Sequence, residues 1–158
     1  SAIAFAPDRV AADSSRHHSM IRIRVVCVFR RGDAILVSFA RDPRNGGRYA
    51  RTIGGGVEVG ERTEDALRRE IREELGAEIE QPHLVGVLEN IFTIEDRQVH
   101  EIVFVYDAQF ADASFADRGE ITVNEAACLA PAKWVAISAF GDDTLPLYPR
   151  DLIRLLTT

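Results

Sequence analysis

Three glutamates are the residues best placed to do chemistry. Glu70, Glu73 and Glu74 stand in the run DALRREIREELGA. An α-helix turns about 100° per residue, so the three carboxylates would share an arc of roughly 100° on one face. Like charges that close repel, by about the few tenths of a kcal/mol seen for like-charged helix neighbours. Folding alone gives no reason to gather them. A hard divalent cation with oxygen ligands does. Directly ahead lies Gly54-Gly55-Gly56. Glycine has no Cβ, so a turn there could take positive φ and approach a ligand closely, and amides ahead of a helix could face a phosphate. A glycine run alone is commonly a flexible turn, and an acidic helix alone is commonly a solvated face. Here the two occur together at fixed spacing.

The whole stretch, Gly55 to Ala77, reads GGVEVGERTEDALRREIREELGA. It resembles the Nudix box: Gly, five residues, Glu, seven residues, Arg-Glu-hydrophobic-x-Glu-Glu-x-Gly-hydrophobic. Gly55, Glu61, Arg69, Glu70, Ile71, Glu73, Glu74, Gly76 and Ala77 fill the specified positions, with Leu75 at the free one. The resemblance implies an α+β Nudix fold, a mixed β-sheet sandwiched between helices (α/β/α). It implies hydrolysis of a phosphoanhydride in a nucleoside diphosphate linked to another moiety, with Mg2+ or Mn2+ as cofactor. Glu70, Glu73 and Glu74 would then be metal ligands, and backbone carbonyls near Gly54 and Gly55 would complete the shell. A carboxylate would take the proton from water; which glutamate does so differs within the family. Arg69 and Glu61 would hold loop and helix in place. A later loop often adds an acidic residue, and Glu120 and Glu125 are the candidates. The partner implied is a small nucleotide, and many relatives are homodimers.

Other residues are open to two readings. Arg44, Arg48 and Arg51 precede the box and could meet substrate phosphate, or sit in a solvated loop. The run HEIVFVY alternates, so His100 and Glu101 point to opposite faces, and one of them begins on a cleft or buried face. Glu101 is a substrate-binding candidate on that ground, with a strand-end polar residue as the alternative. Asn90 and Phe92 share a face of the preceding strand; Phe92 could stack on a base or pack in the core. Ile53 stands where many family members have proline. The markers of the ADP-ribose and diadenosine polyphosphate types are absent from the region Asn90 to Glu95. Three functions follow: a pyrophosphohydrolase acting on a nucleotide sugar or ADP-ribose-like compound, a nucleoside triphosphate pyrophosphohydrolase, and a nucleotide sensor without turnover. The intact glutamates argue against the sensor.

These residues need elements to position them. Ile21 to Phe29 and Asp33 to Phe39 read as a hairpin about Arg31-Gly32. Tyr49 to Ile53 reads as a short strand leading into a glycine turn. The box helix starts at Arg62 or Thr63 and stops at Gly76, with Leu67, Ile71 and Leu75 as its core stripe. His83 to Ile94 and Val99 to Phe110 read as strands around a turn Glu95-Asp96-Arg97-Gln98. Asp112 to Pro131 is irregular, Trp134 to Ile137 a short strand, and Pro149 opens a last helix, Arg150 to Leu156.

The bulk numbers fit this picture. A chain of 158 residues suits one domain, here 20–158. The net charge of −6 argues against a nucleic acid polymer as partner. No apolar run approaches the ~18–20 residues of a membrane helix. Cys27 and Cys128 form no CxxC and read as small buried hydrophobes in a reducing, cytoplasmic setting. Residues 1–19 lack periodicity and read as a mobile arm or leader, with Met20 as the natural start and His17 and His18 as linker residues rather than metal ligands.

Overall fold

Alternation along the first apolar run sets the architecture. The computed structural model describes residues 20–158, and the expectations for residues 1–19 lie outside them. Strand β1 (Arg22–Val28) is buried on both faces from Arg24 onward. Val25 and Cys27 face one core, and Val26 and Val28 face another. A strand enclosed on both sides has no polar face to show, which is why its second half, Val25 to Val28, reads as an unbroken apolar run.

After β1 come β2 (Arg30–Arg31), β3 (Ala34–Arg41), β4 (Arg48–Arg51), β5 (Ile53–Gly56), α1 (Thr63–Leu75), β6 (Ile79–Ile94) and β7 (Arg97–Phe110). Then follow α2 (Ser114–Asp117), β8 (Glu120–Ile121), β9 (Ala132–Ala136), β10 (Leu147–Tyr148) and α3 (Leu152–Thr157). One sheet has the order β5-β1-β7-β6, with β1 and β7 parallel and the other pairs antiparallel. The second runs β10-β4-β3-β9-β8, with β2 paired to β3. Helix α1 packs its stripe Leu67, Ile71 and Leu75 into the core with Val25 and Cys27; α3 packs Leu152 and Leu156 into the core with Val26 and Val28. The fold is therefore α+β with mixed sheets and few helices, and the single sheet expected is two. Among the described residues no helix is long and apolar enough to cross a membrane.

Several boundaries differ from expectation. The first hairpin exists only at its tip, Arg30↔Ile35 and Arg31↔Ala34, because the chain leaves the first sheet after Val28. Thr52 separates β4 from β5 in the same way, so one expected strand is two in different sheets. The turn after Ile94 has two residues, Glu95 and Asp96, both at positive φ (48° and 63°), as a type I′ hairpin turn requires. β6 begins at Ile79, ahead of Pro82, and carries a register shift there, with Gln81 at φ 51°. Pro149 precedes α3 rather than opening it. Gly76 ends α1 in the left-handed region (φ 65°), its N–H donating to the Arg72 carbonyl, as a C-terminal cap should.

Leu67 is fully buried in the α1 stripe. Leu67→Ala is expected to cost about 2–5 kcal/mol through lost contacts and a residual cavity. Denaturant unfolding would show this as a lower midpoint with an unchanged slope.

Candidate active site

The glycine run is a strand, not a turn. Gly54, Gly55 and Gly56 pair with Val26, Val25 and Arg24 of β1, and none of the three has positive φ. Their lack of a Cβ serves crowding instead. A Cβ on Gly54 would run into the Val25 carbonyl, and one on Gly55 would run into the carboxylate of Glu70. The flat backbone of β5 is thus the bed on which the first helix glutamate lies.

Arg69 organises the approach to α1. Its Nε and Nη2 grip both oxygens of Glu61 at 2.8 and 2.9 Å. Nη1 donates to Glu70 Oε1 at 2.9 Å and to Glu73 Oε2 at 3.3 Å. Nη2 also donates to the Gly56 carbonyl at 2.9 Å. Glu61 in turn accepts from the Glu58 amide at 3.1 Å. One side chain therefore ties the loop before the helix, the end of β5 and two helix carboxylates together. The bond from Arg69 holds the Glu61 carboxyl below its ordinary range, and the same partners push Arg69 up. Arg69 and Glu61 therefore join the loop, the strand end and the helix by direct bonds. Arg69→Lys keeps a charge but loses the planar fork. It is expected to leave the fold standing and to lower metal-dependent turnover by about 10–100-fold, as for residues that orient ligands. Steady-state kinetics beside a melting curve would check it.

Glu70 is buried and Glu73 is exposed. Glu74 is half-buried, and its carboxyl is pushed up to about 9. Burial is the main cause, followed by the negative charges of Glu125 and Glu70; Arg51 and Arg24 pull the other way. Glu125 arrives on the irregular segment between β8 and β9. That segment is pinned to the helix end, where the Asn124 amide donates to the Glu74 carbonyl at 2.8 Å. Of the two late acidic candidates, Glu125 is the one whose charge reaches Glu74. Glu120 pairs with Lys133 across β8 and β9 at 3.3 Å.

The substrate-binding candidates fall elsewhere. Arg51 is 2% exposed, inside β4, and forms an ion pair with Glu125 at 2.8 Å. It belongs to no solvated loop. Arg48 stacks its guanidinium 3.8 Å over the Phe39 ring. Arg44 pairs with Asp42 at 3.2 Å. Arg44 and Arg48 line a cleft of about 310 Å³ with Tyr49, Tyr148 and Arg150, and no glutamate borders it. Phe92 is 3% exposed in the core with Val26, so its ring is enclosed rather than offered to a base. Glu101 is 1% exposed and pairs with buried Arg24 at 3.2 Å. Burial pushes the Glu101 carboxyl up, against the pull of Arg24 and Arg22. Asn90 lies directly across from Glu101 and is buried too. His100, on the other face, pairs with Glu89 at 3.3 Å. Cys27 is buried as expected; Cys128 is only half-buried and touches Arg51 and Glu125. Sequence reasoning missed Arg24, although an arginine directly before the apolar run VVCVF was the signal.

The NUDIX domain family model matches residues 20–156. The chain belongs to the Nudix family. A MutT Nudix hydrolase from Burkholderia pseudomallei superposes on this Nudix chain with a TM-score of 0.66 at 28% identity, covering 88% of this chain and 99% of that one. A MutT protein from Methanosarcina mazei shares the fold, with a TM-score of 0.61 at 21% identity over 86% of this chain and 92% of that one. In sequence, a nucleoside triphosphatase, NudI, from Escherichia fergusonii is 46% identical over 76 residues, covering 46% of this chain and 52% of the relative. The NAD-capped RNA hydrolase NudC from Stutzerimonas stutzeri is 29% identical over 134 residues, 85% of this chain and 41% of the relative. The Nudix chain thus spans about half or less of the curated relatives it matches.

Among the described residues, no three carboxylate, thiolate or imidazole groups stand close enough together to hold a metal ion. The donor set nevertheless fits a hard divalent cation. Glu125 and Glu70 lie close enough to Glu74 for their charges to oppose its ionisation. Exposed Glu73 lies one residue before Glu74, and all four side chains offer oxygen.

Proposed function

We propose that this Nudix protein is a divalent-metal-dependent pyrophosphohydrolase that opens a phosphoanhydride in a nucleoside diphosphate linked to a further group. The observation that supports the reading is the bonding of Arg69, which ties Glu61, Glu70, Glu73 and the Gly56 carbonyl into one fixed array at the start of the glutamate helix. Glu70, Glu73, Glu74 and Glu125 would hold Mg2+ or Mn2+, with backbone oxygen near Gly54 and Gly55. When bound, the ion supplies activation of water and neutralisation of phosphate charge.

The chain's own residues supply the rest. A carboxylate of the cluster takes the proton of the attacking water, whose oxygen forms the new bond to phosphorus as the bridging P–O bond breaks. Arg69 and Glu61 keep the helix carboxylates and β5 in fixed relation, so geometry is set before substrate arrives.

The similarity to a nucleoside triphosphatase favours a second reading of the substrate. A nucleoside triphosphate is a nucleoside diphosphate whose further group is phosphate, so the same cluster would serve. Purified protein with Mg2+ and a panel of nucleotide sugars, ADP-ribose, dinucleotides and normal and oxidised nucleoside triphosphates tests both. Products identified by mass show which bond is cut. Nucleotide binding without turnover across the panel would instead indicate a sensor and overturn the proposal.

A further inference from the structure

Arg51 and Glu125 lie 74 positions apart in sequence and meet at 2.8 Å. The arginine comes from a regular strand and is among the fully buried side chains. Its Nε lies 3.4 Å from the Ser38 hydroxyl on β3, so its stem has a fixed neighbour. The glutamate comes from a stretch without regular structure and is 28% exposed. A side chain on such a segment would otherwise sample many rotamers. Here both of its oxygens are held. Oε1 takes the Arg51 guanidinium, and Oε2 accepts from the Cys128 thiol at 3.6 Å. Cys128 also lies 3.7 Å from Arg51 Nη2. A carboxylate has roughly four lone-pair sites, so these contacts leave acceptor capacity on each oxygen.

A phosphate anchor presents its fork at a surface. Arg51 is enclosed, and its Nη2 is engaged with Glu125, one of the acidic residues proposed above. We propose that Arg51 is the positioning residue that sets Glu125 against α1, with Cys128 as its second support. The inference rests on the metal-dependent reading above. It gives an internal arginine a task that its place before the box did not suggest, and it separates Arg51 from substrate recognition.

The test uses the full chain and Mn2+ alone, with free Mn2+ followed by electron paramagnetic resonance. Wild type, Arg51→Met, Glu125→Gln and the double variant are compared. Each single change is expected to weaken Mn2+ by about 10–100-fold, the usual cost of losing a ligand's support. The double variant is expected to bind no more weakly than Glu125→Gln, because Arg51 acts through Glu125. In Arg51→Met, kcat falls while KM for nucleotide hardly moves, and amide exchange at Asn124 to Cys128 speeds up. Unchanged Mn2+ affinity with a raised KM overturns the inference in favour of a phosphate anchor, and so do additive losses in the double variant. If Arg51→Met does not fold, Arg51→Lys takes its place: its effect must be present in wild type and absent beside Glu125→Gln, and equal losses in both overturn the inference. A wild type that turns over nucleotide with Mn2+ while the Arg51 pattern fails sinks this inference alone. A wild type that neither binds Mn2+ nor cuts nucleotide sinks the functional reading and this inference with it.

Discussion

Glu74→Gln is expected to lower metal-dependent turnover by about 10²–10⁴-fold, the range for losing an acid-base group in a reaction of this kind. Glutamine keeps the size of the side chain and removes its capacity to ionise, so packing at the end of α1 survives. Near-normal turnover in this variant would show that the chemistry lies elsewhere. A second effect has the opposite sign. The Glu74 carboxyl stands at about 9 in the folded protein without metal, against roughly 4.3 in an unfolded chain. A carboxyl raised on folding contributes stability below its unfolded value, and that contribution is lost as pH climbs toward the folded one. In the presence of a chelator, wild type should therefore lose melting temperature relative to Glu74→Gln between about pH 5 and pH 8. The gap closes when Mg2+ is restored to wild type. A gap that stays constant with pH would show that Glu74 does not carry this strain.

The second large effect is at Gly55. Its backbone is ordinary strand, so alanine is tolerated by φ. The added Cβ would collide with the Glu70 carboxyl group. A side chain can swing away, so Gly55→Ala is expected to fold with Glu70 displaced. Misplacing a catalytic group by about 1 Å can cost 10²-fold, and that is the loss of turnover expected. Gly54→Ala supplies the contrast. There the collision is with the Val25 carbonyl, which is backbone held in the sheet and cannot swing. That variant should lose melting temperature heavily, where Gly55→Ala loses mainly rate. Equal behaviour of the two in melting and kinetics would refute this account of the glycine run.

The same glycines show how far sequence reasoning reached. A run of glycine looks identical whether it makes a turn or a strand that something must lie against, and only the neighbour, Glu70, tells the two apart. The helix was legible to within a residue because its signals are local: the stripe at Leu67, Ile71 and Leu75, and Gly76 to end it. Glu125 was named as a late acidic candidate beside Glu120, but its pairing with Arg51 was not legible, because it joins distant segments through an irregular stretch with no period to read. Alternation in HEIVFVY separated His100 from Glu101, but it could not say which face is enclosed. The partner that decides it, Arg24, sits on another strand. Val28 and Thr52 mark points where the chain changes sheets, and a residue pattern continues across such a step without a break.

Arg69 carries a last consequence. A guanidinium has five N–H donors, and here every nitrogen is engaged: Nε with Glu61, Nη1 with Glu70 and Glu73, Nη2 with Glu61 and Gly56. The most prominent cation beside the carboxylates is therefore already spent within the protein. On the proposed function, attraction for phosphate falls to the metal rather than to Arg69, and metal-bound nucleotide is expected to bind more tightly than bare nucleotide.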